Sequence, residues 1–209
     1  MNPWVTSAIA LLIAYLLGTI PSGFWAGKLL QNIDIREHGS KSTGATNVLR
    51  TLGKGPAIFV LLVDLIKGAA AIAAARFLGS DLSAEWSNWL VALAGLAAII
   101  GHSRSIWLRF AGGKSAATGL GVLVAIAWPV GLGAALVFSA VLAIFRIVSL
   151  SSIAAALAAI ALMLTFRQPL PYCLLASAGG LYVILRHQAN IQRLIVGREP
   201  PIGQKNSAK

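Results

Sequence analysis

Long apolar runs alternate with short polar, basic ones along the whole chain. Trp4 to about Trp25, Pro56 to Leu78 and Trp86 to about Trp107 each come near the ~20 apolar residues that span a bilayer as a helix. A longer apolar run from Ala116 to Phe145 is interrupted by "WPVGLG", Trp128 to Gly133, a turn-like combination. That run is either one long kinked helix or two short ones. Two further spans follow, Leu150 to Phe166 and Tyr172 to Leu185, separated by "RQPLP". The pattern predicts an all-α, polytopic membrane protein, with tryptophans at span ends as an interfacial belt would have them.

Composition agrees. Hydrophobic residues make up 57% of the chain and charged residues 11%, against the ~25% charged of an ordinary soluble domain. No polar or low-complexity linker divides residues 1–209, so one membrane domain is expected. The single cysteine, Cys173, rules out a disulfide framework and a cysteine metal site. Met1-Asn2-Pro3-Trp4 lacks the basic start of a cleavable signal peptide, so the first run is read as a retained span.

A net charge of +11 would point to nucleic acid in a soluble protein; here it reads as topology, with no nucleic-acid partner. If Ala116 to Phe145 crosses twice, fourteen of the seventeen lysines and arginines fall on one face. Arg76 and Arg167 lie on the other, and Lys67 lies inside a span, three residues from Asp64, where a structural ion pair is expected. A single crossing would scatter the basic loops over both faces. Seven crossings, with the N-terminus outside and the C-terminus cytoplasmic, satisfy the positive-inside rule.

The cytoplasmic segments, about residues 28–55, 102–115 and 186–209, carry more than topology requires. "GSKSTGATNVLR", Gly39 to Arg50, combines glycines, hydroxyls (Ser40, Thr46), Asn47 and Arg50, as an anion site of backbone amides and a planar cation would. The same residues also suit an ordinary capped helix entering the next span. "FAGGKSAATG", residues 110 to 119, looks like a nucleotide phosphate loop, but Leu108 stands where the Walker motif needs its first glycine. What remains is a pair of small residues, Gly112 and Gly113, that let backbone approach an anion, with Lys114 beside them and Ser115 at a helix start. A plain flexible turn is the alternative. "LRHQANIQRLIVGREP", Leu185 to Pro200, places His187 and Asn190 on one helical face, with Arg186 and Arg193 alongside. Alone, it is also what an interfacial basic helix looks like.

These segments share one membrane face, which suits a substrate with a phosphate head and an apolar tail. No nucleophile elbow and no Ser-His-Asp set is present, and the histidines, His38, His102 and His187, stand apart, so neither metal nor other cofactor is expected. Glu199 is expected to pair with a neighbouring arginine. A phosphate or organophosphate transporter, with its anion site near the midplane, and a non-catalytic scaffold for anionic lipid are the competing classes.

The three segments, in this order between apolar spans, resemble the bacterial acyl-phosphate:glycerol-3-phosphate acyltransferases over nearly the whole chain. Ser40, Gly44, Thr46, Asn47, Arg50, Gly113, Lys114, His187 and Asn190 match that family's pattern; Lys41-Ser42, Arg104-Ser105 and Ser115 depart from it. The acyl-CoA-dependent enzymes, with H-x-x-x-x-D, are excluded, because Thr43, Trp107 and Gln192 stand at the acidic position after each histidine. The resemblance implies seven spans with cytosolic motifs in a bacterial inner membrane. It implies attack by the 1-hydroxyl of glycerol-3-phosphate on a long-chain acyl phosphate, giving lysophosphatidic acid and inorganic phosphate. Under it, Ser40, His187 and Asn190 are candidate catalytic residues. The phosphate-binding candidates are Ser40, Thr46, Asn47, Arg50, Gly112, Gly113, Lys114, Ser115, His187 and Asn190. A functional link to an enzyme that makes acyl phosphate is expected.

Overall fold

The computed structural model describes residues 2–203. Lys205 and Lys209, two of the fourteen cations assigned to one face, lie outside the described residues. The described chain is helical: α1 Pro3–Gly18, α2 Ser22–Gln31, α3 Ala45–Thr51, α4 Lys54–Leu78, α5 Ala84–Ser103, α6 Ala116–Ile126, α7 Trp128–Phe145, α8 Val148–Thr165, α9 Leu170–Arg186 and α10 Gln188–Ile195. Among the described residues, five stretches are long and apolar enough to cross a membrane: Pro3–Gln31, taken across its break, Lys54–Leu78, Ala84–Ser103, Trp128–Phe145 and Val148–Thr165. Ala116–Ile126 and Leu170–Arg186 are shorter apolar helices.

One expectation changes, and one open alternative is decided. The first run is not one helix, because α1 stops at Gly18 and α2 restarts at Ser22. Pro21 has no N–H to continue the ladder and disfavours helical backbone at Ile20, so the break sits in front of it. The run from Ala116 to Phe145 is two helices, and they are unequal: the break is the single residue Ala127, at φ −145°, ψ 85°. Pro129 then stands in the first turn of α7, where a missing N–H costs nothing. A Cβ on Gly131 would lie 2.6 Å from the Val124 nitrogen, a proximity that a straight helix forbids. The chain therefore doubles back at Ala127.

The helices pack as α1 with α5, α4 with α6, and α7 with α8, while α9 lies against α5 and α8. Lipid removes most of the hydrophobic drive between helices, so small residues that admit close backbone contact take over. Gly68 and Gly121 do this reciprocally between α4 and α6: a Cβ on Gly68 would lie 2.2 Å from the Thr118 carbonyl oxygen, and one on Gly121 2.0 Å from that of Leu65. The obstacle is backbone in both cases. Gly121→Ala is therefore expected to force the helices apart at a cost of about 1–3 kcal/mol. Thermal unfolding in detergent checks this, and an unchanged Tm would contradict the packing.

The anticipated ion pair forms, with Lys67 Nζ 2.7 Å from Asp64 Oδ1. A second, smaller core of Ala26, Ile35, Val48, Ala57 and Val60 lies under the first polar segment and seats it on α4. The polar segments meet at one end of the helices: Lys114 bonds Asn190, Arg186 bonds the Gly113 carbonyl and Arg36 the Leu108 carbonyl.

Candidate functional site

The first polar segment is built around Asn47, which is 1% exposed. Its Nδ2 shares two hydrogens among the carbonyls of Ile35, His38 and Ser42, at 2.9, 3.0 and 2.8 Å, and its Oδ1 accepts from the Ser40 amide at 2.7 Å. Gly39 takes a left-handed φ of 57° beneath it, where a Cβ would be 2.2 Å from Asn47 Oδ1. The Asn47 amide is thus committed to holding the loop's shape. Ser40, Thr46 and Arg50 border the cavity below.

The second segment turns back on the end of α5. The Gly113 amide donates to the His102 carbonyl at 3.2 Å, and the Gly113 carbonyl accepts from Ser103 Oγ at 3.0 Å and Arg186 Nη2 at 3.2 Å. A Cβ on Gly112 would meet the His102 carbonyl oxygen at 2.2 Å, and one on Gly113 would meet the His102 ring at 2.0 Å. These glycines face the α5 terminus and are not on the cavity wall. Ser115, left-handed at φ 63°, donates its hydroxyl to the Ile99 carbonyl at 2.6 Å, and its Oγ lies 2.6 Å from Ser103 Oγ. Gly112, Gly113, Ser115 and Asn47 thus all carry part of the scaffold, while Ser115 and Asn47 also border the cavity. Asn47 holds the Ser40 amide, and the turn through Gly113 and Ser115 sets the backbone on either side of Lys114.

His187 sits at the junction of α9 and α10, buried on the cavity wall. Its Nδ1 lies 2.7 Å from the Val183 carbonyl. A carbonyl only accepts, so Nδ1 carries the hydrogen and the neutral ring keeps its lone pair on Nε2. Burial, reinforced by the Lys114 and Arg186 charges against the opposing Val183 bond and Glu199, lowers the His187 pKa to about 4. The imidazole is neutral at pH 7.

Asn190 links the other two segments. Its Oδ1 accepts from Lys114 Nζ at 2.5 Å and its Nδ2 donates to Glu199 Oε1 at 2.6 Å. An ammonium only donates and a carboxylate only accepts, so these partners settle the amide's orientation. Glu199 also accepts from Ser149 Oγ at 2.8 Å and Arg193 Nε at 2.7 Å, the expected arginine partner. Burial raises its pKa, but the bonds from Asn190, Ser149 and Arg193 outweigh this and hold it below the usual glutamate range. Lys114 is lowered to about 8, chiefly by burial and further by Arg193, Arg50 and Arg186, against the pull of Glu199. Burial likewise lowers Arg50. Ser149 had no signal in the sequence, because it opens an apolar helix like any small residue.

Ser40, Arg50, Lys114, His187 and Asn190 share one cavity of about 600 Å³. From this polar end it continues between α6, α7, α8 and α9 along Leu120, Leu142, Ala155, Ala159 and Gly179. Cations and amides at the mouth of an apolar channel among membrane-type helices point to a class: an integral membrane protein whose site suits an amphiphile bearing a phosphate-like anion.

The profile of the family described as "Glycerol-3-phosphate acyltransferase" matches residues 8–197. The chain belongs to that family. It is 57% identical over 205 residues to a glycerol-3-phosphate acyltransferase of Synechococcus sp. (strain JA-3-3Ab), covering 98% of each chain. It is 59% identical over 214 residues to glycerol-3-phosphate acyltransferase 2 of Rhizobium johnstonii, covering 96% of this chain and 98% of the relative. Among solved structures it resembles PlsY (YgiH), an integral membrane glycerol 3-phosphate acyltransferase, in its glycerol 3-phosphate form. That likeness has a TM-score of 0.87 and 35% identity, over 94% of this chain and 96% of the other. The lysophosphatidic acid form of the same protein gives a TM-score of 0.84 and 34% identity, over 94% and 95%.

Proposed function

We propose that this chain transfers a fatty acyl group from an acyl phosphate to the 1-hydroxyl of glycerol-3-phosphate, releasing lysophosphatidic acid and inorganic phosphate. The convergence of Lys114, Arg50, His187 and Asn190 at the mouth of an apolar channel carries the reading. Two phosphate-bearing reactants need cations at one end, and one acyl chain needs the channel. The glycerol 3-phosphate and lysophosphatidic acid forms of the related structure agree with this substrate and this product.

The reaction needs no enzyme nucleophile, since an acyl phosphate is already activated. The 1-hydroxyl oxygen bonds to the carbonyl carbon, the bond from that carbon to the phosphoryl oxygen breaks, and phosphate departs with the electron pair. His187 Nε2 takes the hydroxyl proton and passes it to the departing phosphate. Lys114 and Arg50 offset the phosphate charges, one phosphate near Lys114 and the other near Ser40, Thr46 and Arg50, while Asn190 orients the ammonium. Cations fixed in a partly dry site do this without reorganisation. Holding both reactants in contact lowers the barrier further.

The same reading places one membrane domain of seven crossings in a bacterial inner membrane, with the site facing the cytoplasm and acyl phosphate arriving from a partner enzyme that makes it. Both short apolar helices, Ala116–Ile126 and Leu170–Arg186, then count as crossings.

Detergent-purified protein given glycerol-3-phosphate with palmitoyl phosphate is expected to form lysophosphatidic acid, and to form none with palmitoyl-CoA. Product from the thioester alone would overturn the donor; no product from either, in folded protein, would overturn the reaction.

A further inference from the structure

Buried within the apolar length of α4, Asp64 and Lys67 are 1% and 3% exposed. Asp64 Oδ1 is a meeting point. Lys67 Nζ lies at 2.7 Å, Ser22 Oγ donates at 2.8 Å, and His102 Nδ1 stands 3.5 Å away. Lys67 also donates to the Ile20 carbonyl at 2.9 Å, in the break between α1 and α2. Charges at this depth are costly, and a buried ion pair is often no more stabilising than apolar residues of the same volume. Stability is therefore a poor reason for this cluster.

Its geometry supplies a better one. The His102 ring has Asp64 on its Nδ1 side and the Gly113 backbone on its Nε2 side, where an added Cβ would be 2.0 Å from Nε2. The His102 carbonyl meanwhile accepts from the Gly113 amide at 3.2 Å. Ring and carbonyl together fix Gly113 from two directions, and the next residue is Lys114.

We infer that Asp64, Lys67 and His102 form an anchor inside the helices that positions Lys114, through the Gly113 backbone, for its phosphate. Asp64 holds the imidazole, Lys67 ties Asp64 to the α1–α2 break, and the imidazole supports the turn. These are positioning residues, and the inference rests on the acyl transfer proposed above.

The test is a double-mutant cycle of His102→Asn and Lys114→Ala, with both substrates varied in turn and product quantified. His102→Asn alone is expected to lower kcat/KM about 10-fold, through the same parameter that Lys114→Ala changes, because a small displacement of a group in the site is costly. Added to Lys114→Ala it should change kcat/KM less than about 2-fold, since residues acting through one another are not additive. A loss in a parameter that Lys114→Ala leaves unchanged, or an undiminished loss in the Lys114→Ala background, would overturn the inference. Should His102→Asn not fold, Ser22→Ala, which removes one bond to Asp64, enters the same cycle under the same two criteria. Wild-type protein that forms no product removes the reading and this inference together; wild-type product with additive losses removes the inference alone.

Discussion

Lys114→Ala is expected to lower kcat/KM by about 10²–10³, the usual loss when a preorganised donor to developing charge is removed. In the proposed reaction the ammonium contributes in two ways. It offsets a phosphate, and it occupies Asn190 Oδ1, whose amide otherwise faces the cavity without its cation. Because the lysine is held to about 8, its charge is lost as pH rises through that value. A phosphomonoester with a second pKa of about 6 is already a dianion there, so an alkaline decline in kcat/KM above pH ~8 reports the enzyme. Lys114→Arg should abolish that limb, since a guanidinium stays protonated. It should also lose some rate, because the planar fork does not repeat the single Nζ contact. Wild-type kcat/KM in a folded Lys114→Ala protein would remove the lysine from the site.

Replacing His187 by glutamine is expected to reduce kcat by ~10²–10⁴, the range for a positioned general base, with KM changed much less. The free lone pair on Nε2 and the fixed hydrogen on Nδ1 are the reason. A ring that stays neutral down to pH about 4 gives no acid limb near the ordinary histidine value, so kcat should not fall on its account between pH 7 and 5. Stability has the opposite sensitivity. Between the unfolded pKa of about 6.5 and the folded value the unfolded chain binds the extra proton, so stability falls as pH drops through that window. His187→Gln should flatten this part of the Tm-versus-pH curve. Full turnover in the glutamine variant would move the base to a phosphate oxygen of a substrate.

Much of the site was legible because polar, glycine-containing segments stand out against apolar spans. Ser40, Arg50, Lys114, His187 and Asn190 all lie in such segments and all reach one cavity. What each does there was less legible. Gly112 and Gly113 have the local appearance of an anion turn, and short sequence cannot tell a backbone kept bare for a ligand from one kept bare for a neighbour. The neighbour is His102, brought against them by the end of α5. Asn47 reads as a ligand-facing amide for the same reason, yet its groups close a loop with Ile35, His38 and Ser42. In the first span, Ile20-Pro21-Ser22-Gly23 carried a break signal that the apolar residues around it masked.

The sequence by itself determined the membrane class, the approximate helices and the polar segments that gather at one end of them, because apolar composition and charge placement act on each segment locally. Tertiary structure decided which polar groups are free and which are spent. Lys114, Asn190 and Glu199 form one chain across 76 and then 9 residues of sequence, and Asp64 meets His102 from a different helix. Such pairings depend on how helices pack, and packing here turns on small residues such as Gly68 and Gly121, whose partners no local pattern names.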